Sequence, residues 1–404
     1  MWRIAAVLSL LSCASVHAAE LETSSPESQG IRSDELVKLT RWIRDNPSFP
    51  VFSILISRNG KLVYELYTSS IDKDDAHYLM SVTKSVLSAL VGIAIDKHLL
   101  RGSDTPVNEL LPRALFASDA DYSRFHALTL KQVLAMSAVD APDPPRRRDA
   151  ESVARYQKFW FAPNRLKVVL QQPLLKGGFQ YNDSTPTIAG GALQYAVKES
   201  ALQFAEETLF RPMGFRNYEW MHQDASGMDN AGYGLRLRPI DMQKLGLLYL
   251  NHGRWQDKHL VSKEWVDRSF QPWNRSAPER EQPDYGWFWW AYYYGPGWTA
   301  HVANGWKGQR IAVIPDQEIV ITMTACIEDG SEKEFFDQLI TKVVMPAVQH
   351  GADHKTDVKP GELAALLEQV HRGPARYSDF IEYRMVPSAT QKQTRKPFTA
   401  LSTQ

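Results

Sequence analysis

The stretch YLMSVTKSVLSALVGIAID, residues 78 to 96, decides how the rest of the chain is read. Ser81 and Lys84 stand three positions apart, and Val86, Leu87, Leu90, Val91, Ile93 and Ile95 follow at positions that are apolar almost all round. Such a segment is a central helix buried on every side. Its N-terminus offers free backbone N–H groups and the positive end of the helix dipole, which favour negative charge developing near Ser81. Lys84 lies over the same face. An ammonium among apolar neighbours is poorly solvated, so the segment predicts a lowered Lys84 pKa and a neutral amine able to take the serine proton. The plain alternative is a capping serine beside a lysine that reaches out to water.

Ser-x-x-Lys is a weak signal by itself, since a chain of this composition holds about one such spacing by chance. A second, Ser70-Ile71-Asp72-Lys73, lies in the charged segment SSIDKDDAHY and reads as a solvated loop. The helix after Ser81 sets the first apart.

Outward from this helix, residues 33 to 46 (SDELVKLTRWIRDN) read as another, with Ser33 as its cap and Leu36, Leu39, Trp42 and Ile43 on one face. VFSILIS and KLVYELY flank Arg58-Asn59-Gly60 and predict antiparallel strands over 51–57 and 61–67. Residues 100 to 280 mix helical patterns, LTLKQVLAM, ALQFAEETLF and RPIDMQKLGLLYLNHG, with turns marked by Pro and Gly. Strand patterns then return in YGWFWWAYYY, WTAHVANG, QRIAVIP and EIVITMTA, and SEKEFFDQLITKVVMPAV closes as a helix. This order gives an α/β (α+β) fold: one antiparallel sheet, expected to be five-stranded, assembled from both chain ends, flanked by helices and interrupted by a mostly helical insertion. The α/β part covers residues 25–98 and 281–348, the helical part 99–280, within a domain over 20–350. Residues 351–404 form an extension with one helical pattern, GELAALLEQV, and a polar tail expected to be disordered at its end.

The first nineteen residues place Arg3 ahead of an apolar run and the small-residue site Val16-His17-Ala18, the layout of a cleaved signal, so export to the periplasm is the expectation. Leu10-Leu11-Ser12-Cys13 loosely resembles a lipoprotein cleavage site, so membrane attachment would come only through lipidation of Cys13. Cys326 is the second of two cysteines and sits in an apolar strand pattern, which makes it a buried thiol rather than half of a disulfide. Lysine plus arginine and aspartate plus glutamate both count 46, so no net field favours nucleic acid. A small neutral molecule is the expected partner, and the oligomeric state is left open.

Two further segments bear on Ser81. FQYND places Tyr181, Asn182 and Asp183 before a helical pattern, and VANGWKGQRIAVIPD places Gly305 at a strand end. With SVTK, LTLKQVLAMSA and RLRPIDMQKLGLLYLNHGRW, these motifs resemble, in order and over about residues 25 to 348, the serine β-lactamase and penicillin-binding-protein superfamily. The likeness is closest to its class C β-lactamase-like branch, with family VIII esterases, D-amino-acid peptidases and 6-aminohexanoate-dimer hydrolases. The resemblance implies that Ser81 is an acyl-accepting nucleophile, Lys84 its activating base and Tyr181 a proton relay to the leaving atom. It also implies an oxyanion site from the backbone N–H groups of Ser81 and Trp306, and no cofactor or metal. Substrate contacts would come from Gly305, Asn304, Asp183 and Asn182.

This chain departs from the family at two motifs. Tyr-x-Asn becomes Tyr181-Asn182-Asp183, a carboxylate in place of an amide, with Asn182 as a candidate substitute. Lys-Thr-Gly becomes Ala303-Asn304-Gly305, which loses a lysine suited to a substrate carboxylate, unless the register is Gly305-Trp306-Lys307. Hydrolysis of another ester or amide is therefore expected ahead of β-lactam or D,D-peptide hydrolysis, with a non-catalytic penicillin-binding-like protein as the alternative from a different class. The aromatics of residues 285–298 read mainly as core, with an acyl-pocket wall as their sharper role. Pro144-Pro145-Arg146-Arg147-Arg148 reads as a solvated loop, or more sharply as a site for an anionic substrate. His350 and His354 belong to no metal-binding pattern, no glycine-rich phosphate loop follows a strand, and GFQYNDS is not a nucleophile elbow.

Overall fold

Two apolar runs from opposite ends of the chain meet in the middle of one sheet. The computed structural model describes residues 20–69, 71–141, 150–274, 283–328, 330–348, 358–359 and 361–374. The expected signal segment with Cys13, Ser70, residues Pro144 to Arg148, His350, His354 and the C-terminal polar stretch lie outside the described residues.

Helix α1 spans Ser33–Asp45. Strands β1 (Val51–Arg58) and β2 (Lys61–Tyr67) follow, joined by Asn59 at φ 50° and Gly60 at φ 76°. Two successive left-handed residues are what a type I′ hairpin turn requires, and Asn-Gly supplies them at the least steric cost. Strand β3 (His77–Tyr78) leads into α2 (Val82–Asp96). From the helical block, α3 (Thr185–Val197), β4 (Glu219–Trp220), β5 (Leu235–Leu237) and α4 (Pro239–Leu250) shape the site. The chain returns as β6 (Asp284–Tyr285), β7 (Trp290–Tyr293), β8 (Thr299–Gly305), β9 (Gln309–Ile314) and β10 (Ile319–Ala325), then α5 (Ser331–Gln338) and α6 (Glu362–His371).

Among the described residues the main sheet has seven strands, in the order β2-β1-β10-β9-β8-β7-β6. The front hairpin docks on the last strand through an antiparallel register running from Val51↔Ala325 to Arg58↔Ile319. Five strands were expected, and the difference lies in the aromatic run. YGWFWWAYYY is not one strand: Gly286 N donates to Trp289 O at 2.8 Å, Phe288 turns at φ 60°, and the two halves pair as a hairpin that adds short edge strands. The other correction concerns α1. Ser33 lies inside the first turn rather than at the cap, and its amide donates to Glu27 Oε1 at 3.2 Å.

Both sheet faces are covered, which is why the central strands read as continuous apolar runs. On β9, Ile311 and Val313 join the core that contains α2, α3 and α4, while Ala312 and Ile314 join the core beneath α1 and α5. The period of two sorts them. Helix α2 is buried from Val82 to Ala94, as its lack of a polar face requires. The extension packs back on the body: Arg41 of α1 pairs with Glu362 of α6, and Ser69 Oγ donates to Pro374 O at 2.7 Å. Cys326 is buried beside Phe52 and Ile71.

Helix α4 lies so close to the sheet that a Cβ at Gly246 would sit 2.4 Å from Val320 Cγ1 and 2.9 Å from Ile311 Cγ2. Gly246→Ala gains about 0.5–1 kcal/mol of helix propensity, but overpacking costs about 1–3 kcal/mol. A net loss is expected, read as a lower urea midpoint at unchanged m-value. A raised midpoint would contradict the close packing of α4.

Candidate active site

Strand β3 is held against β5, and Leu79 N donates to Leu235 O at 2.9 Å. The chain then turns from strand to helix through Met80, whose φ of 50° is uncommon for a residue with a Cβ. Ser81 occupies the N-cap position of α2 at φ −69° and ψ −5°, and its side chain makes no capping bond. Its hydroxyl is therefore not consumed by the helix. Thr83, fully buried, anchors the same turn: its Oγ1 accepts from Gly234 N at 3.3 Å and Leu235 N at 3.2 Å.

Lys84 does not reach out to water; its side chain is 1% exposed. Nζ lies within hydrogen-bond distance of Ser81 Oγ at 2.8 Å, Asp183 Oδ1 at 2.9 Å and Gly232 O at 2.8 Å, with the Tyr181 hydroxyl also acting on it. A carboxylate and a carbonyl can only accept, so they fix two of the Nζ hydrogens, and the remaining tetrahedral position of Nζ faces Ser81 Oγ. As an ammonium, Lys84 donates there; as an amine, it presents its lone pair there. Burial pushes the Lys84 pKa down, but the Asp183 carboxylate and, less strongly, Tyr181 outweigh it and hold it above the ordinary lysine value. The expectation of a lowered pKa is thus corrected. The apolar neighbours act as anticipated, and a carboxylate from a distant part of the chain overrides them.

Tyr181 lies with its ring centroid 5.0 Å from Lys84 Nζ. Trp290 packs against it at 5.2 Å and the buried Tyr285 at 6.0 Å, while Trp287, Phe288 and Trp289 go to the core. Asn182 is fully buried and turned away. Its Oδ1 accepts from Thr185 N at 2.7 Å and its Nδ2 donates to Gln180 O at 3.0 Å, fixing the turn into α3.

On the far side, β8 ends against the turn that carries Ser81. A Cβ at Gly305 would stand 2.4 Å from Leu79 O and 3.2 Å from Met80 Cβ, so only glycine fits this seam. Ala303, two residues earlier, is fully buried in the core that contains α2, where the motif's lysine would have stood. Asn304 is on the opposite face, its Nδ2 donating to Tyr292 Oη at 3.2 Å. The alternative register does not occur: β8 ends at Gly305, and Lys307 lies in the following turn at φ 64°, buried, with Nζ 4.9 Å from the Trp306 ring centroid. Trp306 is 39% exposed.

The fold therefore brings together Ser81, Lys84, Tyr181 and Asp183, sets Gly305 against the turn that carries Ser81, and turns Asn182 and Asn304 elsewhere. Sequence reasoning missed the loop over residues 230–234. Asn230 Oδ1 accepts from Gly232 N at 2.9 Å and Tyr233 N at 3.0 Å, and this sets the Gly232 carbonyl on Lys84. The only trace in the sequence was the small-residue spacing of Ala231-Gly232-Tyr233-Gly234.

The family model described as Beta-lactamase matches residues 39–338. The chain is 22% identical over 243 residues to a 6-aminohexanoate-dimer hydrolase of Paenarthrobacter ureafaciens, covering 56% of this chain and 58% of that protein, so it spans under two thirds of the relative's length. Among solved structures, a candidate β-lactamase from Bacteroides dorei DSM 17855 is similar at a TM-score of 0.63 and 17% identity, covering 79% of this chain and 100% of that one. EstCE1, a hydrolase with promiscuous acyltransferase activity, is similar at 0.59 and 14%, covering 76% of this chain and 98% of its own. At these identities the structural likeness is one of fold.

Asp183→Asn keeps an acceptor for Lys84 and removes the charge that raises its pKa. A lowered lysine pKa makes the amine available at lower pH, so the acid limb of the pH profile for Ser81 acylation should move to lower pH. The measurement is the rate of covalent labelling from pH 5 to 10; an unmoved limb, or one moved upward, would show that Asp183 does not set the lysine's charge state.

Proposed function

The chain belongs to the β-lactamase family, whose model covers residues 39–338, and from that premise we propose a serine hydrolase that cleaves an ester or amide through a Ser81 acyl-enzyme. One observation carries the reading: Lys84 Nζ lies 2.8 Å from Ser81 Oγ while two acceptors hold its other hydrogens. Ser81 Oγ attacks the substrate carbonyl carbon as its proton passes to Lys84 Nζ. The carbonyl electron pair moves onto oxygen, and the N–H groups of Ser81 and Trp306 receive that charge. When the tetrahedral species collapses, the bond to the leaving group breaks and its atom takes a proton by way of Tyr181. Water then attacks the acyl-enzyme, and the released proton returns Ser81 to its hydroxyl form. Because the Lys84 pKa is raised, the rate should climb with pH through the neutral range.

The substrate class rests on what flanks this group. Ala303 gives no cation for a substrate carboxylate, and the half-exposed Trp306 with the Tyr181–Trp290 pair offers apolar and aromatic surface. An uncharged acyl group suits it better than a β-lactam carboxylate. The relatives named as hydrolases support the general class.

A fluorophosphonate probe followed by peptide mass spectrometry tests the reading. Labelling is expected on Ser81, lost by about 10⁴-fold or more in Ser81→Ala and in Lys84→Met, and unchanged in Ser70→Ala. A folded wild-type protein that takes no label, or label retained in Ser81→Ala, would overturn it. Turnover of short p-nitrophenyl esters with none of a cephalosporin is the expected substrate pattern.

A further inference from the structure

We propose that Arg310 is a positioning residue that, with Gln309, orients and polarises the peptide bearing the Trp306 amide. The inference rests on the serine hydrolase reading, in which that amide receives the oxyanion.

Arg310 lies behind β8, 4% exposed, on the same face as Asn304 and with its guanidinium 5.8 Å from the Phe336 ring. Among the described residues no carboxylate comes within ion-pair distance of it. Its Nη1 instead donates to two backbone carbonyls, Gly305 O at 2.5 Å and Gln309 O at 3.0 Å. Burial lowers its pKa from the ordinary value, yet a guanidinium stays protonated at neutral pH. A desolvated cation is costly to keep; the Glu332 and Asp337 carboxylates act on it at longer range, while its direct hydrogen bonds fall on carbonyl dipoles beside the nucleophile's seam.

The Gly305 carbonyl and the Trp306 N–H belong to one peptide unit. In a trans peptide the two point in opposite directions, so drawing the carbonyl onto Arg310 turns the N–H away from Arg310. Phe336, beside Arg310, is in the core opposite the one that holds α2. Gly305 itself meets Leu79 and Met80 across the adjoining seam. A strong bond at the carbonyl also polarises the amide and makes its N–H a better donor. Gln309, fully buried, grips the next peptide: its Nε2 donates to Trp306 O at 3.1 Å and Ala325 O at 2.6 Å, and its Oε1 accepts from Ala325 N at 3.3 Å. Both peptides flanking Trp306 are thus tied to buried side chains.

The test is the saturation kinetics of fluorophosphonate labelling at Ser81 in Arg310→Met and Arg310→Lys, with thermal midpoint and circular dichroism as controls of folding. Methionine fills the buried volume without a donor, and lysine keeps a cation without the fork. In Arg310→Met the limiting labelling rate is expected to fall by about 10–100-fold, below the cost of deleting an oxyanion donor outright, while the half-saturation concentration stays within about twofold. Arg310→Lys should recover part of the rate. If Arg310→Met does not fold, Arg310→Lys decides: a wild-type limiting rate overturns the proposal, and a reduced one at unchanged half-saturation supports it. Either folded variant labelling at the wild-type rate, or losing rate and affinity equally, overturns it. A wild-type protein that takes no label at Ser81 instead refutes the hydrolase reading beneath it.

Discussion

A buried ammonium must have an acceptor for every hydrogen it carries, and Lys84 meets that requirement with groups from three separate parts of the chain. Ser81 comes from the turn into α2, Asp183 from the segment before α3, and Gly232 from the loop before β5. Leaving one such group uncompensated costs about 3–5 kcal/mol, so the helical block cannot settle on α2 in an arrangement that strands the lysine. The same contacts that satisfy the charge aim it at the serine, so one set of bonds serves packing and, on the proposed reading, chemistry together.

The second constraint is steric. Gly305 presses on the Leu79 carbonyl so closely that no side chain fits between, and Met80 accepts a left-handed backbone to bring Ser81 to that seam. Backbone strain of this kind costs on the order of 1–3 kcal/mol and persists only where the surroundings over-determine it. Here they do: β3 is paired to β5 on one side, and Thr83 is held by the amides of Gly234 and Leu235 on the other.

The features legible in the sequence were those whose signal is local. Asn59-Gly60 declares its turn, the central helix its burial, and the strand runs from both ends their common sheet. Ser81, Lys84, Tyr181 and Asp183 stood out because their side chains carry chemistry at a recognisable spacing. Gly232 contributes only a carbonyl, which every residue has, so residue type gave no sign of it. The Lys84 pKa was misread because desolvation can be seen in neighbouring residues, whereas the strength of the Asp183 interaction depends on a distance that only the fold supplies. Asn304 could have been excluded, since it adjoins Gly305 in a strand and alternation sends it to the other face. The aromatic run concealed its break because Trp287, Phe288 and Trp289 are as apolar in a tight turn as in a strand.

The meeting of the two chain ends also governs how the molecule can be assembled. Ser53 of β1 and Thr324 of β10 share a hydrogen bond across 271 residues of chain, so the front hairpin has no neighbour on that edge until nearly all of the polypeptide is available. Closing so long a loop is slow, and until it closes, α2, apolar almost all round, lacks the face of the sheet that shields it. A nascent or refolding chain therefore passes through a stage in which its most water-averse helix is exposed. That stage, rather than the finished structure, is where aggregation and chaperone binding compete with folding.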